Sequence, residues 1–125
     1  MNEEMRDFFI AALQTENLKE QAEFFGDILT DNELRMIGQR WHIAVELWKN
    51  KDSYEKVAEK VQTSTTTVSK VAKCLHYGYG GMKKILKRLF PKVPDEDQLE
   101  EMEMERERQQ RKKYGSHLYA KRILP

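Results

Sequence analysis

Apolar residues recur along this chain at i, i+3, i+4 and i+7, the spacing of an amphipathic α-helix. Alternating β-branched residues, which would indicate strands, are almost absent, and glycine and proline are scarce before residue 78. The pattern therefore predicts an all-α protein, built as a helical bundle. The predicted helices cover residues 3–14, 18–29, 31–48, 53–61, 65–76 and 82–90.

The helix predicted over residues 31–48 carries two apolar stripes on different faces. A helix that is apolar on two faces must be covered on two sides. In so short a chain, we expect one of those partners to be a second subunit of a homodimer; the alternative is that the helix lies at the centre of a monomer. The first stripe is Leu34, Ile37, Trp41, Ala44, Val45 and Trp48, and the second is Met36, Ile43 and Leu47.

Residues 53–76 read as two short helices joined by a tight polar turn at 62–64, which is the design of a helix-turn-helix. Ala58 provides a small residue where the two helices approach. Gln62 is a departure, because glycine is common at that turn position. An ordinary helical hairpin is the alternative interpretation. The expected inner faces consist of Tyr54, Val57, Ala58 and Val61 on the first helix, and Val68, Val71, Ala72 and Leu75 on the second.

The outward face of the second helix carries side chains suited to duplex DNA. Hydroxyls can bond base edges and phosphates, and lysines neutralise phosphates or donate to guanine. Free backbone N–H groups at residues 64–66 would face a phosphate at the positive end of the helix dipole. The predicted DNA-binding residues are Ser64, Thr65, Thr66, Thr67, Ser69, Lys70 and Lys73.

Charge is strongly segregated, although the net charge is only +1. Residues 49–92 contain eleven basic and three acidic residues, which gives 11 − 3 = +8, so the rest of the chain sums to 1 − 8 = −7. A basic middle between acidic flanks favours a surface for a polyanion, although a solvated lysine face would look the same.

Residues 95–125 differ in character from the domain predicted over residues 1–94. Residues 95–105 hold seven acidic and no basic side chains, and 106–113 are mainly basic. This order favours a helix through its dipole. We expect a charged C-terminal helix or a flexible tail, of which residues 114–125 could dock on a partner.

Several classes of protein are disfavoured. No apolar run approaches the ~18 residues that span a bilayer, and the N-terminal residues do not resemble a signal peptide. The single cysteine, Cys74, fits a reducing cytoplasm and is expected to be half-buried. His42, His76 and His117 lie on separate segments without a metal-ligand pattern. We therefore expect a cytoplasmic protein that is not an enzyme, with no metal.

Five segments, taken in order, resemble the tryptophan-repressor superfamily, and within it the Trp-repressor-like YerC/YecD type. The resemblance covers about residues 28–90 and implies an intertwined, all-helical dimer that regulates transcription. It also implies DNA contact by Thr65, Thr66, Thr67, Ser69 and Lys70. The segments are LTDNEL, IGQR, SYEKVAEKV, STTTVSKV and CLHYGYGG.

The resemblance also raises the question of tryptophan as corepressor. In the family, two arginines grip the indole and a glycine beside the second provides room. Arg40 matches the first arginine, whereas Lys70 and Val71 stand at the second arginine and the glycine. Lysine lacks the planar guanidinium that stacks on an indole. Arg40 and Lys70 are thus a possible ligand pocket, but tryptophan is disfavoured; the alternative for Arg40 is an ion pair with, for example, Glu33.

The leading hypothesis is a sequence-specific, dimeric transcription regulator, expected to repress, with double-stranded DNA as its partner. The alternative is a protein-interaction adaptor that works through its charged C-terminal helix. A third hypothesis is an accessory DNA-binding piece of a recombinase or transposase. Neither the operator nor any effector ligand follows from the sequence.

Overall fold

The structure is a computed structural model that describes the backbone of residues 1–123 and the side chains of residues 1–95 and 98–112. Over residues 1–123 it contains helices and no strand, so the predicted all-α fold is confirmed. The helices are α1 (Glu3–Ala12), α2 (Leu18–Ile28), α3 (Asp31–Asn50), α4 (Tyr54–Val61), α5 (Thr65–Tyr77), α6 (Gly81–Leu89) and α7 (Glu96–Ile123).

Polar side chains fix where the first five helices begin. Each N-cap residue accepts a hydrogen bond from the backbone N–H three residues later, which satisfies one of the free donors of the first turn. At α3 the bond is reciprocal, because Glu33 also accepts the backbone N–H of Thr30 at 3.0 Å. This reciprocal arrangement is a capping box. The five caps are Asn2, Asn17, Thr30, Ser53 and Ser64.

One hydrophobic core joins the second half of α3 to α4, α5 and α6. Ile43, Val57, Val68 and Leu86 are fully buried in it, one from each of these helices. The reason is the helical spacing of apolar residues on each segment, which places them on the faces that meet. The remaining buried members of this cluster are Ala44, Trp48, Ala58, Val71 and Leu75.

The two apolar stripes of α3 do not divide between two partners as expected. Ile43 from one stripe and Trp48 from the other are buried in the same core, because α4, α5 and α6 surround the C-terminal half of α3. The N-terminal half differs, since Met36 and Ile37 are exposed. The apolar surface left uncovered is therefore set by position along the helix and not by face.

Helices α1 and α2 contribute no buried residue. Their contact is an aromatic cluster, in which the ring of Phe8 lies 5.9 Å from that of Phe24 and 6.0 Å from that of Phe25, between centroids. Around it, Leu13 and Leu18 are each 81% exposed. This half of the molecule thus presents apolar side chains that the described part of the chain leaves exposed.

Asp95 anchors the start of α7 to α6. Its carboxylate accepts the backbone N–H of Gln98 at 2.8 Å, and Gln98 accepts the backbone N–H of Asp95 in return. The other carboxylate oxygen lies 2.7 Å from the ammonium of Lys87. These bonds lower the pKa of Asp95, the contact with Lys87 most of all.

The backbone of residues 114–123 belongs to α7, and Leu124 and Pro125 lie outside the described residues. Docking of residues 114–125 on a partner stays a prediction, as does the division of the chain at residue 95. No helix in the described part of the chain is both long and apolar enough to cross a membrane.

Candidate nucleic-acid interface

The turn between α4 and α5 holds the two helices in a fixed relation. Gln62 ends α4 in the left-handed conformation, with φ of 60°, where glycine would be unstrained. The backbone N–H of Thr63 then donates to the carbonyl of Ala58 at 2.9 Å. Val57 and Val68 are both fully buried across the junction. The turn hydrogen bond and the buried valines therefore fix the position of the first turn of α5 relative to α4.

Ser64 begins α5 and uses its side chain to do so. Its hydroxyl accepts the backbone N–H of Thr67 at 3.2 Å, and the Ser64 and Thr67 hydroxyl oxygens lie 3.0 Å apart. Two of the seven predicted DNA-binding residues are therefore engaged with each other. The positive end of the helix dipole lies at this turn.

The other five predicted residues come together on one open groove. Thr65, Thr66, Lys70 and Lys73 are exposed and Ser69 is half-buried. The groove runs along α5 and is closed on one side by the start of α4. Hydroxyl and ammonium groups are thus gathered on a single face of α5, which can donate to phosphates and to base edges.

Sequence reasoning missed two residues of this groove, Tyr54 and Glu55 of α4. Tyr54 was expected on the inner face of α4, and this expectation is wrong, because its side chain is 41% exposed. Its spacing to Val57 and Val61 matched the apolar stripe. The phenol hydroxyl, which favours a position at the protein surface, was the signal that could have placed it correctly.

The lysines of α4 form ion pairs with carboxylates of the same chain. Lys60 lies 2.8 Å from Asp52 and 3.6 Å from Glu46, and Lys56 lies 3.6 Å from Asp52. The hydrogen bond between Lys60 and Asp52 lowers the pKa of Asp52 and raises the pKa of Lys60.

In the groove itself, Lys70 and Lys73 form no ion pair with any side chain that the structure describes. An ammonium that is not paired within the protein can exchange its counterion for a phosphate. Lys70 and Lys73 of α5 therefore keep unpaired positive charge at the surface, whereas Lys56 and Lys60 of α4 are paired with carboxylates at the end of α3 and just after it.

Arg40 and Lys70 are not brought together within one chain. Arg40 is exposed on α3 and does not line the groove that contains Lys70. The alternative role for Arg40, an ion pair with a residue such as Glu33, does not appear among the described contacts of Glu33. That carboxylate instead accepts the backbone N–H of Thr30, which lowers the pKa of Glu33. Val71 is only 6% exposed and packs in the core, so its side chain occupies space beside Lys70.

Among the described side chains, no three histidine, cysteine, aspartate or glutamate residues come close enough together to hold a metal ion. Cys74 is exposed, and not half-buried as expected. It lies one turn beyond Lys70 on α5, at i+4, on a position that the core does not reach.

Comparison with known proteins identifies the family to which this helical arrangement belongs. The family model of the Trp repressor protein matches residues 3–90. This chain belongs to the Trp repressor protein family. The match ends where α6 ends, so α7 lies outside the part that the family model describes.

Individual proteins are also similar to this chain. The uncharacterized protein YerC of Bacillus subtilis (strain 168) is 31% identical over 86 residues, which cover 69% of this chain and 82% of YerC. The solved structure of a TrpR-like protein from Eubacterium eligens ATCC 27750 is 34% identical, with a TM-score of 0.66, and the match covers 70% of this chain and 90% of that one. A solved structure from Staphylococcus aureus is 29% identical, with the same TM-score of 0.66, and the match covers 71% and 88%.

Proposed function

We propose that this protein is a sequence-specific DNA-binding transcription regulator, in which α4 and α5 form a helix-turn-helix and α5 enters the major groove. The observation that carries the proposal is the groove on α5, where Lys70 and Lys73 stand beside Thr65, Thr66 and Ser69 without ion-pair partners among the described residues. Membership of the Trp repressor family supports the same function. A cytoplasmic location and the absence of enzymatic activity accord with it.

The residues of the groove divide into two kinds of contact. The ammonium groups of Lys70 and Lys73 neutralise phosphates, and the N-terminus of α5, capped by Ser64, receives a phosphate on its free N–H groups. The side chains of Thr65, Thr66 and Ser69 reach base edges, where a threonine methyl can contact a thymine methyl. Glu55 adds an acceptor that suits the amino group of cytosine.

Dimerisation is supported by the apolar surface that one chain leaves uncovered. Met36 and Ile37 of α3 are exposed beside the weakly packed α1 and α2. Exposed apolar residues that lie together on one surface are typical of an interface with another protein. A second copy that pairs through α1, α2 and the N-terminal half of α3 gives an intertwined dimer. Its two α5 helices then read two half-sites related by a two-fold axis.

Tryptophan is a poor corepressor for this site. Val71 packs in the core beside Lys70, and Lys70 has no planar guanidinium to stack on an indole. Arg40 and Lys70 could approach each other only across the dimer interface. There they could bind an anionic group, but they would offer no stacking contact to an aromatic ring. Regulation, with repression as its expected form, therefore proceeds without tryptophan.

Fluorescence anisotropy with duplex DNA tests the groove. We expect Thr66→Ala and Lys70→Ala each to weaken binding by about tenfold, the size of one lost direct contact. Lys112→Ala on α7 is the matched control, since it removes the same charge outside the groove. If wild type binds no better than the groove variants, or if Lys112→Ala weakens binding as much as Lys70→Ala, the surface is assigned wrongly.

The alternative function is an adaptor that binds a protein partner through α7. One observation favours it: α7 extends to Ile123, far beyond the family match that ends at residue 90. Deletion of residues 95–125 separates the two. A regulator that uses α5 keeps its affinity for DNA, whereas an adaptor retains its fold and loses its partner.

A further inference from the structure

One carboxylate lies in the groove on α5, whose other lining side chains all carry hydroxyl or ammonium groups. It belongs to Glu55 of α4, which is exposed and lines the groove together with Lys70 and Lys73. The carboxylate forms no ion pair and no hydrogen bond with any side chain that the structure describes. Its charge is therefore not neutralised by the two lysines that share the groove.

A free carboxylate at this place opposes binding to DNA in general. Every phosphate of a duplex is negative, and like charges brought within a few ångströms of each other repel. Other carboxylates close by in the chain are compensated, since Lys60 lies 2.8 Å from Asp52 and 3.6 Å from Glu46. Glu55 differs from them, because it keeps its negative charge in the groove that receives the duplex.

Helix stability is the simplest alternative role for Glu55. It lies in the first turn of α4, where the helix dipole favours a negative charge. Ser53 already caps this helix, because its hydroxyl accepts the backbone N–H of Lys56 at 3.3 Å. A role confined to stability would leave the choice of DNA sequence unchanged, and this separates it from a role in recognition.

The chemistry of the base edges decides what the carboxylate can accept. In the major groove, cytosine presents an amino donor, whereas guanine presents two acceptors and thymine presents one. Adenine presents an amino donor beside an acceptor nitrogen, and that nitrogen repels a carboxylate oxygen placed next to it. Cytosine is thus the one base that offers Glu55 a donor without an adjacent acceptor.

We propose that Glu55 acts as a specificity filter, which selects cytosine at one position of each half-site and penalises all other duplexes. With cytosine in place, its amino group donates to the carboxylate and offsets the repulsion from the phosphates. With any other base, the repulsion remains and no hydrogen bond replaces it. Lys70 and Lys73 attract every duplex, whereas Glu55 discriminates among them. This inference deepens the proposed function and rests on it.

Selection of bound duplexes from a random-sequence pool compares wild type with two substitutions of Glu55. We expect wild type to prefer cytosine at one position of each half-site. Glu55→Gln should change that preference to adenine, because an amide both donates and accepts and so fits the N6 and N7 atoms of adenine. Glu55→Ala should leave the position without a preference. The other positions of the motif should stay as in wild type.

Affinity for the unselected pool measures the repulsion itself. In fluorescence anisotropy, Glu55→Gln and Glu55→Ala should each bind the pool about threefold more tightly than wild type, the effect of one charge pair about 6 Å apart in water. The gain should shrink as sodium chloride is raised, since salt screens exposed charges. The preference for the duplex selected by wild type over the pool should fall about tenfold or more in Glu55→Ala, as for one lost base contact.

Glu59→Gln is the matched control for both measurements. Glu59 lies one turn further along α4, is exposed and does not line the groove, so this variant removes the same charge from the same helix. Its motif and its affinity for the pool should be those of wild type. Equal gains in affinity from Glu59→Gln and Glu55→Gln would overturn the proposal, because the net charge of the protein would then explain them.

The remaining outcomes separate this inference from the proposed function. A wild-type motif without cytosine, or the same motif in wild type and Glu55→Ala, would overturn the filter and leave recognition by α5 intact. A lower free energy of unfolding in Glu55→Ala with an unchanged motif would assign Glu55 to the stability of α4 alone. If wild type enriches no motif at all, the proposed function fails together with the filter.

Discussion

The Ser64 hydroxyl accepts the backbone N–H of Thr67 at 3.2 Å and lies 3.0 Å from the Thr67 hydroxyl. This pair fixes the first turn of α5, on which the other groove residues are displayed. Ser64 and Thr67 therefore support the groove by shaping the helix N-terminus, whereas Thr66 and Lys70 face outward. Substitutions in the two groups should separate stability from affinity for DNA.

Ser64→Ala is expected to lower the free energy of unfolding by about 1 kcal/mol, because it removes the N-cap of α5. Urea unfolding followed by circular dichroism at 222 nm measures the change. Thr66→Ala serves as the control: its side chain is exposed and forms no described hydrogen bond, so its stability should stay within about 0.5 kcal/mol of wild type. Equal stability of Ser64→Ala and wild type would show that the cap contributes nothing.

Gln62→Gly is expected to stabilise the protein by about 1 kcal/mol, since the left-handed conformation at φ of 60° is costly for a residue with a Cβ. The same substitution at Gln21, exposed inside α2, should destabilise by a similar amount, because glycine is a poor helix residue. Thermal unfolding of both variants checks the opposite signs. Destabilisation by Gln62→Gly would mean that its side chain makes a contribution larger than the strain.

Asp52 is expected to make stability depend on pH in acid. Its pKa is lowered, chiefly by the hydrogen bond from Lys60, so its contribution is complete above its ordinary value and is lost as the pH falls through the lowered pKa. The contribution of Lys60, whose pKa is raised, is lost only as the pH rises through that pKa in strong alkali.

Urea unfolding of wild type and Asp52→Asn between pH 2 and pH 7 measures the Asp52 contribution. The difference in free energy of unfolding should shrink steadily as the pH falls below the ordinary value of an aspartate. Glu59→Gln changes an exposed residue of α4 that has no described ion pair. Its free energy of unfolding should differ from that of wild type by the same amount at every pH. A constant difference for Asp52→Asn over the whole range would rule out the ion pair as its source.

Ile37→Glu is expected to disrupt the proposed dimer, because it places a charge on the apolar surface that α3 leaves exposed. Sedimentation equilibrium should show a mass near twice 14.9 kDa for wild type and a lower average mass for the variant. Met104→Glu on α7 introduces the same charge at a similarly exposed residue and should leave the mass unchanged. A monomeric wild type would contradict the two-half-site arrangement.

Much of the helical layout could be predicted because its signals are local. Apolar spacing and cap residues such as Thr30 and Ser64 specify a helix within a few residues of sequence. The same local rules gathered five groove residues onto one face of α5. Their position in the sequence was enough, since a helix brings i, i+3 and i+4 together.

The features that escaped prediction depend on contacts between helices. Tyr54 fits the apolar stripe of α4, and only the path of α3 and α6 decides that it stays exposed. The pairs of Asp52 with Lys60 and of Lys87 with Asp95 each join residues eight apart, across the end of a helix or the start of another. The unpaired indole N–H of Trp48 follows from the packing of four helices, which no local pattern records.

Selection of bound duplexes from a random-sequence library, read by sequencing, tests the central claim most directly. Wild type should enrich a two-fold symmetric motif whose half-sites are separated by about one helical turn, roughly 10 base pairs. The double variant Thr66→Ala, Lys70→Ala should lose this enrichment, while Lys112→Ala retains it. A library that stays unenriched with wild type, or the same motif recovered with the double variant, would contradict sequence recognition by α5.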